Sequence, residues 1–96
     1  MRQKWLGEEH ADVAMTLNNT ANVYDKQGHP EQALELYRRA VAVEEKLLGA
    51  DHPNVALTLS NIALVYDGQG RNAEALELYA RALAVSRTAL GVGPGE

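Results

Sequence analysis

The sequence predicts an all-α protein built from two copies of a helical hairpin, and three observations support this prediction. A segment of 42 residues occurs twice without a gap, and apolar residues recur at three-and-four spacing within each copy. No long stretch alternates apolar and polar residues, as a half-buried strand would. We therefore expect four antiparallel helices and no sheet.

The two copies are closely similar. The segment that begins at Leu6 aligns with the one that begins at Leu48, and about 23 of the 42 pairs are identical. We place the first repeat at about residues 6–47 and the second at about 48–89. Residues 1–5 match the end of a unit and are interpreted as the stub of a preceding repeat. The expected organisation is one domain over residues 1–91, followed by a glycine-rich, flexible tail at 92–96.

In the first copy, two helix-length apolar stripes are separated by a glycine. The stripes cover about residues 12–27 and 30–47, and Gly28 lies between them. Glycine readily adopts the left-handed conformation that ends a helix. Pro30 then falls in the first turn of the next helix, where proline is tolerated.

The second copy repeats this arrangement. Helices are expected at about residues 53–69 and 72–89, with Gly70 as the break between them. The sequence Asp51-His52-Pro53 is typical of a helix start, since a capping side chain precedes a proline of the first turn.

Composition excludes several classes of function. The 96 residues contain 9 Lys+Arg and 13 Asp+Glu, a net charge of -4, which argues against nucleic acid as a partner. No Cys is present, so thiolate metal sites and thiol nucleophiles are excluded, and a cytoplasmic location is expected. No stretch approaches the roughly 18 apolar residues of a membrane span, and we expect no signal peptide. We expect neither a nucleic-acid nor a membrane partner.

Each copy carries a motif that resembles the tetratricopeptide repeat, whose signature is W-x2-L-G-x2-Y followed by A-x3-F. The first copy reads Leu17-x2-Thr20-Ala21-x2-Tyr24 and then Ala33-x3-Tyr37. The second reads Leu59-x2-Ile62-Ala63-x2-Tyr66 and then Ala75-x3-Tyr79. Small residues at these positions allow two helix backbones to approach closely. They are Ala21, Ala33, Ala40, Ala63, Ala75 and Ala82.

The length of the repeat indicates which type of tetratricopeptide repeat the chain resembles. The ordinary tetratricopeptide unit has about 34 residues, whereas this unit has 42. The segment from Leu48 to Asn61 is similar to the kinesin light chain type of repeat, and the first copy departs from that pattern at Glu9 and Ala11. Glu45 and Arg87 replace the usual terminal proline, so the second helix of each unit should run about a turn longer.

The resemblance implies an α-solenoid with right-handed superhelical stacking, whose first helices line a groove that holds a peptide. It assigns these inward positions: Met15, Asn18, Asn19, Asn22, Asp25, Leu57, Ser60, Asn61, Leu64 and Asp67. Asn19 and Asn61 are the repeated pair and rank first, because an amide can both donate to and accept from a peptide backbone. The alternative is that these asparagines cap or brace a neighbouring helix.

The same positions argue against one class of ligand. Tetratricopeptide domains that grip a C-terminal carboxylate use Lys and Arg on the groove helices. Here Lys26 is the single base of the first predicted helix, and Gly68 replaces it in the second copy. A carboxylate clamp is therefore not expected, and Leu57 and Leu64 favour a peptide with an apolar anchor.

No catalytic, cofactor or metal motif accompanies the repeats. His10, His29 and His52 lack partners at metal-ligand spacing and are interpreted as structural or solvent-facing. Ser60 and Ser86 stand in no nucleophile motif. Four acids of one predicted helix are interpreted as a solvated face: Glu31, Glu35, Glu44 and Glu45. We expect a non-enzymatic interaction module without cofactor, catalytic residue or metal.

A second hypothesis is self-association or a spacer role within a longer array. Repeat units cannot bury their apolar faces alone, and about three are usually needed. We expect apolar side chains of the outer helices to be partly bare, and a homo-oligomer, most simply a dimer, to cover them. These residues are Val13, Leu17, Leu76, Leu83, Val85 and Leu90.

Overall fold

The computed structural model describes residues 11–90, and this part of the chain folds into four helices with no strand. The helices are α1 (Ala11–Lys26), α2 (Pro30–Leu48), α3 (Pro53–Gly68) and α4 (Asn72–Leu90). The all-α prediction is confirmed, and every helix begins and ends within one residue of the expected bounds. His10, the predicted stub at 1–5 and the predicted tail at 92–96 lie outside the described residues.

Two glycines end the first helix of each hairpin in the same way. Gly28 has a φ of 85°, its N–H donates to the carbonyl of Asp25 at 3.1 Å, and the N–H of His29 donates to the carbonyl of Tyr24 at 2.8 Å. The same pair of bonds recurs 42 positions later around Gly70, whose φ is 79°. This motif satisfies carbonyls that a helix end leaves free, and its left-handed residue favours glycine.

Helices α2 and α3 both begin with a proline, but their N-terminal caps differ. At the start of α3, Nδ1 of His52 accepts a hydrogen bond from the N–H of Asn54 at 3.1 Å, and Pro53 follows in the first turn. The expected capping side chain is therefore His52. At the start of α2, His29 makes no side-chain cap, and Pro30 marks the first turn alone.

Small side chains bring the paired helices together. The six alanines named above are each at most 5% exposed, and Ala21, Ala33, Ala40 and Ala63 are fully buried. Helix α1 packs on α2, α3 packs on α4, and α2 packs on α3. The two hairpins thus form one continuous stack rather than two separate units.

The junction between the hairpins contains the largest side chains of the core. Leu34 and Tyr37 of α2 share one buried cluster with Ile62 and Tyr66 of α3. This packing through α2 sets α1 and α3 beside each other on one side of the stack. A groove lies between these two helices.

Candidate functional site

The groove between α1 and α3 encloses a cavity of about 280 Å³. Its walls are residues of α1 and α3, and the end of α2 contributes to its lining. The lining residues are Ala14, Met15, Asn18, Asn19, Asn22, Glu44, Leu48, Asn54, Leu57 and Asn61. Six of them were assigned to the groove from the sequence: Met15, Asn18, Asn19, Asn22, Leu57 and Asn61.

A hydrogen-bond network closes the groove at its base. The hydroxyl of Thr58 on α3 donates to Oε1 of Glu44 at 2.8 Å. The amide nitrogen of Asn18 on α1 donates to Oε2 of Glu44 at 3.3 Å and to Oγ1 of Thr58 at 3.0 Å. Three helices are therefore joined at one carboxylate, and Asn18 braces neighbouring helices.

Burial governs the chemistry of this carboxylate. Glu44 is 5% exposed, and Thr58 is 1% exposed. Desolvation raises the pKa of the Glu44 carboxyl above its ordinary value, while the bonds from Thr58 and Asn18 and the nearby His52 work in the opposite direction. A carboxylate held here is thus poorly solvated and partly compensated by its donors.

The burial of Glu44 corrects the sequence interpretation. The solvated-face interpretation of the four acids is wrong for Glu44, whereas Glu31 and Glu35 are exposed and Glu45 is intermediate. Glu44 continues the buried stripe of α2, since Ala33, Tyr37 and Ala40 precede it at three-and-four spacing. That spacing was the available signal, and the flanking charges at the end of the helix concealed it.

Asn22 has a different environment. Its Oδ1 accepts a hydrogen bond from the hydroxyl of Tyr37 at 3.3 Å, although Asn22 itself is exposed. Burial, with a smaller effect of the charge on Asp25, raises the pKa of the Tyr37 hydroxyl, so this group remains a donor. The Asn22 oxygen therefore already accepts a hydrogen bond from the protein, although the residue lines the cavity.

Asn19 and Asn61 are not engaged in this way. Asn19 is exposed and Asn61 is intermediate, and both line the cavity. Among residues 11–90, no hydrogen bond holds either side-chain amide. These two amides are thus available to a ligand, in contrast to Asn18.

Several large apolar side chains are exposed beside these amides. Met15 is 61% exposed and Leu57 is 64% exposed, and both line the cavity. Leu64 is 57% exposed but does not line it, and neither do Asp25, Asp67 or Ser60. The structure therefore brings only part of the sequence-assigned set around one cavity. The lining residues that the sequence did not single out are Ala14, Glu44, Leu48 and Asn54.

Other site classes have no basis in the described part of the chain. No group of three or more His, Asp or Glu side chains that could hold a metal occurs among residues 11–90. Within the same range, no helix combines the length and apolar character that crossing a bilayer requires. His52 acts as a helix cap, and His29 is exposed with its ring at 6.2 Å from that of Tyr24.

Comparison with known protein families identifies the repeat. The model of a family described as Tetratricopeptide repeat matches residues 1–46 and residues 33–88. Together these matches span most of the chain and include every residue that lines the groove. Among curated proteins, none matches the chain.

Proposed function

Because the chain belongs to the tetratricopeptide repeat family, we propose that the groove between α1 and α3 binds an extended segment of a protein partner. Repeats of this family are generally protein–protein interaction modules, of a scaffold type rather than an enzymatic one. The proposal adds the binding surface, the kind of ligand and the residues that contact it.

The pairing of Asn19 with Asn61 carries the proposal. The two residues occupy the same position of successive repeats, and both line one cavity with amides that make no hydrogen bond to the described part of the chain. A side-chain amide donates and accepts, so it can bond both the carbonyl and the N–H groups of a peptide backbone. Two such amides on neighbouring helices suit an extended segment that crosses them.

Apolar contacts supplement these bonds. Met15 and Leu57 are more than half exposed and lie on opposite walls of the cavity. Large exposed apolar side chains that converge on one cavity are typical of binding surfaces. We therefore expect the bound segment to place an apolar side chain between them.

The charge of the lining bears on the ligand class. Within the part of the chain that the structure describes, no Lys, Arg or His lines the cavity, and Glu44 is its single ionisable residue. A free C-terminal carboxylate would find no cation here and would face an acid. The proposed ligand is therefore an internal segment rather than a chain terminus held by its carboxylate.

The test compares the unaltered chain with an Asn19→Ala, Asn61→Ala double variant on an array of capped peptides. We expect the variant to bind the selected peptides roughly tenfold more weakly, because several backbone hydrogen bonds are lost. A Thr20→Ala, Gln32→Ala double variant serves as the control, since both residues are exposed and neither lines the cavity. Equal binding by the chain and the Asn variant, with equal helicity by circular dichroism, would refute the proposal.

We further infer that the repeats are of the kinesin light chain type. The 42-residue period and the Asp51-His52-Pro53 start support this subfamily. His52 caps α3 in that segment, and α2 continues past Glu45 to Leu48, as a unit without the terminal proline should. A profile built from such repeats alone should score both copies above the ordinary 34-residue profile.

Self-association is the second candidate, and one comparison favours it. Leu76 is 68% exposed, whereas Leu34, its counterpart in the first repeat, is 1% exposed within the inter-hairpin cluster. Leu83 of α4 is also 58% exposed. A second copy stacking on α4 would cover this surface as α3 covers α2. Sedimentation of the chain and of a Leu76→Glu, Leu83→Glu variant tests it, and a monomer at high concentration in both would refute it.

A further inference from the structure

The base of the groove has more hydrogen-bond acceptors than donors. The Glu44 carboxylate receives one bond on each oxygen, from Thr58 and from Asn18, and a carboxylate can accept about four. Oδ1 of Asn18 is buried and has no hydrogen-bond partner among residues 11–90. An acceptor buried without a donor is costly, so the described residues leave this site incomplete.

The network fixes the orientation of the Asn18 amide. Its nitrogen donates to both Glu44 and Thr58, while the Thr58 hydroxyl uses its proton for Glu44. Turning the amide over would set its oxygen against the carboxylate. The unpartnered oxygen therefore cannot be satisfied by a flip, and a donor must come from outside the network.

The charge of the lining identifies the missing group. Among residues 11–90, Glu44 is the single ionisable residue that lines the cavity. The repeat itself does not require an acid here, since the equivalent position of the second copy is Ser86. His52 lies near enough to favour the charged form of Glu44, but it does not line the cavity, and neither Lys nor Arg does so among the described residues. A buried carboxylate that is only partly compensated costs free energy, and a positively charged donor offsets that cost best.

We infer that the cavity holds the side chain of a Lys or Arg of the bound peptide, whose charged head contacts the Glu44 carboxylate beside Asn18. The inference rests on the proposed function and specifies the ligand of the same groove. The aliphatic stem of such a side chain packs between Met15 and Leu57 while its head reaches the carboxylate. A cavity with apolar walls and a carboxylate at its bottom thus matches one basic side chain.

A purely structural role for Glu44 predicts something different. In that case the acid holds three helices together, and the peptide is indifferent to its charge. A Glu44→Gln variant separates the two roles, because glutamine keeps the shape and an acceptor for Thr58 but removes the charge. Removal of a buried charge should leave the fold intact, which a thermal melt verifies.

The test uses three libraries of capped peptides of about nine residues, which differ only in a central Lys, norleucine or Glu. Binding to the full chain is measured by fluorescence anisotropy. We expect the Lys library to bind roughly tenfold more tightly than the norleucine library, and the Glu library to bind most weakly. In Glu44→Gln the Lys preference should disappear, whereas Glu35→Gln, an exposed acid on the same helix, should keep it.

A second pair of variants leaves the network untouched. Leu57 is exposed at the cavity, so Leu57→Lys adds an ammonium that competes for Glu44, and Leu57→Gln is its uncharged control. We expect Leu57→Lys, but not Leu57→Gln, to reverse the preference for peptides with a central Lys.

The outcomes separate the inference from the proposed function. Binding that requires Asn19 and Asn61 but ignores the central residue would overturn the inference and leave the proposed function standing. A Lys preference that persists in Glu44→Gln would also overturn the inference. Failure of every library to bind the unaltered chain would overturn both.

Discussion

The hydroxyl of Thr58 donates a 2.8 Å hydrogen bond to the carboxylate of Glu44, and this bond joins the two repeats at a fully buried point. Its counterpart in the first repeat, Thr16, is exposed on α1. The same residue type thus has two environments, because α3 is covered by a preceding hairpin. The junction, rather than the single hairpin, gives the groove its base.

Thr58→Val tests this bond. Valine keeps the volume but removes the donor from a buried carboxylate, so we expect unfolding to require about 1–3 kcal/mol less free energy. Thr16→Val is the matched control, and its effect should stay within about 0.5 kcal/mol because the side chain is exposed. Urea unfolding of the three chains gives both values, and equal effects of the two substitutions would contradict the role of the junction bond.

Stability should depend on pH through Glu44. Burial raises the pKa of this carboxyl in the folded chain, so the folded state retains the proton to higher pH than the unfolded state does. The contribution of Glu44 to stability is therefore greatest at low pH and falls as pH rises through the raised folded pKa. Glutamine does not titrate, so we expect Glu44→Gln to gain stability relative to the unaltered chain between about pH 4 and pH 7.

Urea midpoints of the two chains across that pH range measure this difference. Glu35→Gln again serves as the control, since its carboxyl is exposed. A difference between Glu44→Gln and the unaltered chain that does not change with pH, or that shrinks as pH rises, would contradict the desolvation of Glu44.

Alanine substitutions of Leu34 and Leu76 measure how much the packing between the hairpins contributes to the free energy of unfolding. Leu34→Ala removes a side chain that is 1% exposed and should cost about 2–5 kcal/mol. Leu76→Ala makes the same change at the equivalent position, which is 68% exposed, and should cost within about 0.5 kcal/mol. Both values come from chemical denaturation at low protein concentration. A large cost at Leu76 would instead indicate that another copy covers α4.

Alanine substitutions of Gly68 and Gly70 should change the stability of the chain in opposite directions. Gly70 has a φ of 79°, which an L side chain resists, so Gly70→Ala should destabilise the chain by about 1 kcal/mol. Gly68 is helical and an added Cβ meets open space there, so Gly68→Ala should stabilise the chain by about 0.5 kcal/mol. Melting temperatures of the two variants provide the measurement, and a gain at Gly70 would contradict the left-handed turn.

The sequence predicts the helices well because their boundaries are set by local chemistry. The turns after α1 and α3 need a left-handed residue, which Gly28 and Gly70 supply. Pro30 and Pro53 mark the first turns of α2 and α3. Each of these boundaries is therefore encoded within a few residues. The buried alanines follow from the same helical spacing. These features need no knowledge of the partner helix.

The hydrogen-bond partners of each groove asparagine could not be predicted from local sequence. Asn18 and Asn19 are neighbours on one helix, yet Asn18 is held by Glu44 and Thr58 while the Asn19 side chain makes no hydrogen bond within residues 11–90. The distinction depends on side chains 26 and 40 positions away, and the second of them, Thr58, belongs to the other hairpin. Glu44 was missed for a different reason, since its spacing continues the buried stripe of α2 but charged residues flank it at the end of that helix.

Peptide contact with Asn19 and Asn61 can be observed directly by NMR titration of the labelled chain with the tightest peptide from the array. We predict that the side-chain amide resonances of Asn19 and Asn61 shift together, and that those of Asn72 at the start of α4 do not. Shifts confined to residues of α4 around Leu76 and Leu83, with the two groove asparagines unmoved, would contradict binding between α1 and α3.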